Sequence, residues 1–71
     1  MYKRAVIIGL DKKRTGLYKI YNYMMGRTGF YDPVDNVFTF DNPIISHIGG
    51  LTFKDWAFTD NESVTVKYLE E

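Results

Sequence analysis

His47 is the only histidine of the 71-residue chain, and it sits among Ile44, Ile45 and Ile48. A single imidazole acts as a general base only when it orients a nucleophile, and Ser46 is its neighbour in sequence rather than a group placed opposite it. A partly buried, hydrogen-bonded histidine is the expectation. The carboxylates could pair as they do in glycoside hydrolysis, but that chemistry requires a cleft that buries one of them, and a chain this short has no deep cleft. Asp32, Asp35 and Asp41 suggest a divalent cation, yet they lack the ligand number and terminal Glu of a calcium loop. Cysteine is absent, which removes thiolate nucleophiles, disulfides and cysteine-based zinc or iron–sulfur sites. Gly26-Arg27-Thr28-Gly29 has neither the spacing nor the following helix of a phosphate cradle, so its glycines are read as backbone freedom for a bent strand. No enzyme activity, cofactor or metal is expected.

What remains is binding. Formal net charge is zero, but the two halves differ. From Met1 to Tyr31, Lys3, Arg4, Lys12, Lys13, Arg14, Lys19 and Arg27 face one acid, Asp11, a balance of +6. From Asp32 to Glu71, eight acids face Lys54 and Lys67, a balance of −6. Such asymmetry points to charged partners, although the halves of a small barrel interleave and can neutralise each other. The acidic half sets Trp56 and Phe58 among Asp55, Asp60 and Glu62. Aromatic residues anchor protein interfaces, and acids on a β-surface can imitate the phosphates of DNA toward a basic protein. These five residues are the expected protein-binding site. The alternative is single-stranded DNA or RNA on the basic half, where Tyr18 and Tyr21, with Tyr23, lie beside Lys12, Lys13, Arg14, Lys19 and Arg27. Against it stands an isoelectric point of 6.6, where such domains usually exceed about 9.

The elements that position these residues read as β. Arg4 to Leu10 is a near-continuous apolar run, predicted as a strand buried on both faces or nearly so. Asp11 to Gly16 is a charged loop. Leu17 to Met25 fits both helical and alternating spacing, and its tyrosines favour an extended chain. Phe30-Tyr31, a turn at Asp32 to Asn36 and Val37 to Phe40 predict a hairpin. Asn42-Pro43 is expected to break that strand, with Ile44 to Gly50 as a connector. Leu51 to Phe53 is predicted as a short strand, Lys54 to Phe58 as one helical turn, and Ser63 to Leu69 as a half-buried final strand with Val64, Val66 and Tyr68 facing the core.

Gly26 to Phe30, with Val37 to Phe40 after it, resembles the glycine-bearing strand pair of KOW-type and related SH3-like barrels. Leu51 to Phe58 is similar to the strand and turn before the last strand in small prophage-encoded barrels of this kind. The resemblance implies a single mainly β domain over residues 1–71, a five-stranded SH3-like barrel with at most one or two helical turns. It also implies a phage or mobile-element protein that binds and inhibits a basic, DNA-binding host protein.

Domains of this size retain only roughly 3–5 kcal/mol of net stability, so a homodimer is plausible. The apolar run Ala5 to Leu10 is too short for a signal-peptide core, and without a secretory signal the sequon Asn61-Glu62-Ser63 has no consequence. A cytoplasmic location without membrane contact is expected.

Overall fold

A computed structural model describes residues 1–22, 25–45 and 52–70. The readings of His47 with its neighbours Ser46 and Ile48, of Tyr23 and Met24, of most of the 44–50 connector and of Leu51 lie outside them. Seven strands form one antiparallel sheet: β1 (Tyr2–Ile8), β2 (Gly16–Asn22), β3 (Met25–Asp32), β4 (Val37–Ile44), β5 (Thr52–Asp55), β6 (Asn61–Ser63) and β7 (Thr65–Glu70). Their order across the sheet is β6-β5-β2-β3-β4-β1-β7. The outermost strands β6 and β7 are consecutive in the chain and separated only by Val64. One residue cannot bridge the width of a flat seven-stranded sheet, so the sheet curls until its ends approach, as a partly closed barrel. The architecture is therefore mainly β and barrel-like, with seven strands where five were expected. Among the described residues there is no α-helix, and no helix long and apolar enough to cross a membrane.

The alternation of side chains decides each strand. In β1, Ala5 and Ile7 are buried while Arg4 and Ile8 are exposed, so this apolar run covers one face and not two. In β2, Tyr18 and Ile20 point inward and Leu17 outward, which selects the extended reading of this segment. The β3–β4 hairpin turns at Pro33 to Asn36. The Asp32 carboxylate accepts the Val34 amide at 2.9 Å, and Asn36 takes a left-handed conformation at φ 57°. The Tyr31 hydroxyl donates to Asn36 Oδ1 and the Ile7 amide to the Asn36 carbonyl, each at 2.9 Å, which ties the turn to β1.

Asn42-Pro43 does not end β4. Arg4 pairs with Thr39 and Tyr2 with Ile44, so two steps along β1 face five along β4. This bulge accommodates a proline that has no amide to give to the ladder. The predicted helical turn is also absent as such: Lys54 and Asp55 belong to β5, and a tight turn follows in which the Phe58 amide donates to the Asp55 carbonyl at 3.3 Å. The predicted last strand is two, because buried Val64 marks where the chain leaves β5 for the far side of the sheet. Val66 and Tyr68 on β7 pack against the core as expected.

The core is aromatic. Phe53 stacks on Tyr18 at 4.4 Å between ring centroids and meets Tyr31 and Phe38 edge-on at 5.3 and 5.5 Å. Gly29 sits beneath the Phe38 ring on the inner face of β3. Gly26 and Gly29 thus lie within a paired strand and not in a ligand loop.

Candidate binding surface

Because side chains alternate along β2, its outer face carries Leu17, Lys19 and Tyr21. Leu17 pairs directly with Phe30 on β3, Phe30 with Thr39 on β4, and Thr39 with Arg4 on β1. On the other side of β2 the Trp56 amide donates to the Leu17 carbonyl at 2.9 Å, so the turn after β5 continues the same row. Trp56, Leu17 and Phe30 remain 55%, 53% and 46% exposed. They form a contiguous apolar row across three neighbouring segments of the outer face, where scattered single apolar residues are the ordinary condition of a surface. Lys19 lies in the next row, its Nζ 4.3 Å from the Trp56 ring centroid and 5.6 Å from that of Tyr21.

The opposite side of the same turn closes a cleft of about 390 Å³ between the loop after β1 and the β5–β6 hairpin. Leu10, Tyr18 and Phe53 give it an apolar floor, and Phe58 is one wall. Here the basic and acidic halves meet. Asp55 is only 6% exposed and accepts hydrogen bonds from the Arg14 guanidinium and, at 2.9 Å, from the Ala57 amide. The Arg14 guanidinium carbon also lies 3.5 Å from the Phe58 ring centroid. Lys12 and Asp60 pair at 3.3 Å on the rim. Lys13 and Glu62 complete the lining.

The two expected sites are therefore not separate faces. Of the acidic group, Asp55 is a buried structural carboxylate rather than a surface charge, Asp60 is paired, and Trp56 and Phe58 point to opposite sides of their turn. Of the basic group, Tyr18 is 3% exposed and belongs to the core, so it offers no stacking platform. Lys12, Lys13 and Arg14 border the cleft among acids, and only Lys19 and Tyr21 stay together on the outer face. Arg27 pairs across from buried Ile20 and its charge acts on Tyr68, which places it on the other side of the sheet. Leu17 and Phe30 were missed. The alternation of Tyr18 and Ile20 marks Leu17 as outward, but no local pattern says that Phe30 stands beside it. Among the described residues no group of three or more His, Cys, Asp or Glu is placed to hold a metal ion.

Burial pushes the Asp55 carboxyl up, but the Arg14 guanidinium, the Ala57 amide and the Tyr18 hydroxyl outweigh it and hold the group below the usual aspartate range. A carboxylate with a depressed folded-state value stabilises the fold above its unfolded value, about 3.9, and loses that contribution as pH falls toward the lower folded value. Thermal midpoints measured from pH 7 to pH 2 should hold until about pH 4 and then fall. Asp55→Asn should be less stable at neutral pH and show a shallower acid slope than the parent. Equal slopes would remove Asp55 as the source.

Comparison with protein-family models, with curated proteins and with solved structures finds no match to this chain.

Proposed function

We propose that the chain is a non-enzymatic protein-binding module that docks its partner on the outer face of the sheet through Trp56, Leu17 and Phe30. The observation that carries this reading is the continuity of that exposed row across β2, β3 and the β5–β6 turn. Phe30 stands on a paired strand and Trp56 on a turn where its own amide is bonded to β2. Aromatic side chains, with few rotatable bonds to immobilise, dominate interface energetics. The Arg14–Asp55 pair serves this surface indirectly, since Asp55 also caps the turn that carries Trp56. In such a module the partner is occluded or scaffolded, and the SH3-like assignment and an inhibitory role belong to the same proposal, without the basic partner that Asp55 and Asp60 suggested, since Arg14 and Lys12 already engage those acids. The barrel-like curl and the glycine-bearing β3–β4 hairpin support that assignment. Single-stranded nucleic acid is a second reading, favoured by Lys19 between Tyr21 and Trp56.

Capture from a lysate of the source organism, with and without nuclease, tests the choice. Trp56→Ala and Phe30→Ala should each weaken capture of a nuclease-resistant protein partner by on the order of 2 kcal/mol, mainly through faster dissociation. Their thermal midpoints should stay near that of the parent, because both side chains are exposed. A partner lost with nuclease supports the second reading. Concentration-dependent sedimentation abolished by the same substitutions identifies a second copy of the chain as the occupant.

A further inference from the structure

We propose that the partner segment seated on this face is acidic: an extended peptide whose carboxylates lie against Lys19 and Lys54 while its apolar side chains cover Trp56, Leu17 and Phe30. The inference rests on the docking reading above and names the chemistry of its occupant. Lys19 on β2 and Lys54 on β5 are directly opposed in the ladder. Like charges at opposed positions repel and destabilise a sheet. The residues that flank them in register are Thr28 across from Lys19 and Asn61 across from Lys54, neither of them an acid. Among the described residues neither lysine is ion-paired, whereas Lys12 and Arg14 on the cleft side are. Two of the cleft's cations, Lys12 and Arg14, are thus matched by acids, whereas the directly opposed Lys19 and Lys54 beside the largest exposed aromatic residue have no carboxylate between them.

A carboxylate-bearing segment relieves that repulsion and covers the apolar row in one step. The orientation of Lys19 adds to this, since its stem lies over Gly26 and its ammonium over the Trp56 ring, so charge and apolar surface form one continuous patch. A protein segment fits better than nucleic acid. Leu17, at the centre of the row, is no stacking platform, and a neutral chain lacks the broad basic field with which nucleic-acid domains track a phosphate backbone.

The test is selection of a displayed random-peptide library on the immobilised full chain at about 150 mM salt, where long-range charge effects are screened. Selected peptides should combine Asp or Glu with aromatic or aliphatic residues. Lys19→Glu with Lys54→Glu should weaken the best of them by about tenfold or more and turn the selection toward basic peptides. If that pair of reversals lowers the thermal midpoint, Lys19→Gln with Lys54→Gln replaces it and should still weaken binding. Neutral or basic consensus peptides, or binding untouched by the lysine changes but lost with Trp56→Ala, would overturn the acidic assignment and leave the docking reading standing. Selected peptides indifferent to both Trp56→Ala and Phe30→Ala would overturn the docking reading itself. An oligothymidylate that displaces every selected peptide at the same salt would assign the face to nucleic acid instead.

Discussion

Gly29→Ala should leave the chain largely unfolded at room temperature. A Cβ at this position, on the inner face of β3, would overlap the Thr39 carbonyl oxygen and the Phe38 ring. Thr39 O is backbone in the neighbouring strand, held by the Gly29↔Phe40 and Phe30↔Thr39 pairs, so it cannot swing aside as a side-chain tip would. Overpacking typically costs about 1–3 kcal/mol and more where backbone must move, against a total of roughly 3–5 for a domain this small. Gly26→Ala is the internal control. Its Cβ would meet the methylenes of Lys19 and the edge of Tyr21, on the exposed face, and Lys19 can rotate away. Circular dichroism melting should show a cooperative transition for Gly26→Ala and little or none for Gly29→Ala. Equal midpoints for the two would contradict the placement of Gly29 under Phe38.

Phe53→Ala should be comparably severe. Phe53 is fully buried, stacked on Tyr18 and in edge contact with Tyr31 and Phe38, so its loss opens a cavity at the point where β2, β3, β4 and β5 converge. Truncation of a buried Phe costs about 3–5 kcal/mol, as much as the domain has to lose. Trp56→Ala, three positions along, removes a larger side chain and should leave the melt nearly unchanged, because Trp56 lies on the outer face. A near-ultraviolet dichroism spectrum that keeps its tyrosine bands in Trp56→Ala and loses them in Phe53→Ala separates the core ring from the surface ring. Loss of folding in Trp56→Ala would refute its place on the binding face.

The sequence carries the local part of this fold clearly. Aromatic and β-branched alternation marks Val37 to Phe40 and Thr65 to Tyr68 as strands, whereas Leu17 to Met25 fits both periods and only its tyrosines lean toward the extended form it takes up to Asn22. Asp32-Pro33 with Asn36 marks the hairpin turn through side-chain bonds that the turn makes to itself. What it hides is non-local. Pro43 looks like a strand terminator because a proline lacks an amide, and only the bulge opposite Tyr2 and Arg4 makes it compatible with β4. Val64 looks like one residue of a continuous alternating strand, and only the partners of its neighbours show that β6 and β7 lie at opposite ends of the sheet. The candidate site fails to appear in sequence for the same reason. Charge runs suggest a basic half and an acidic half, but the fold brings Arg14 onto Asp55 and Lys12 onto Asp60, so the two halves meet at one cleft and do not form separate faces. Residues with no functional signature, Leu17 and Phe30, become a surface feature only through their shared register.

The central claim, that partners dock on the outer face, is tested most directly by amide chemical-shift mapping of the isotopically labelled chain with the strongest peptide from the library selection. The account predicts shifts concentrated at Leu17, Lys19, Phe30, Lys54 and Trp56, with the Trp56 indole N–H among the largest. Shifts confined to the cleft around Lys12, Lys13, Phe58 and Glu62, with the outer face unmoved, would contradict it.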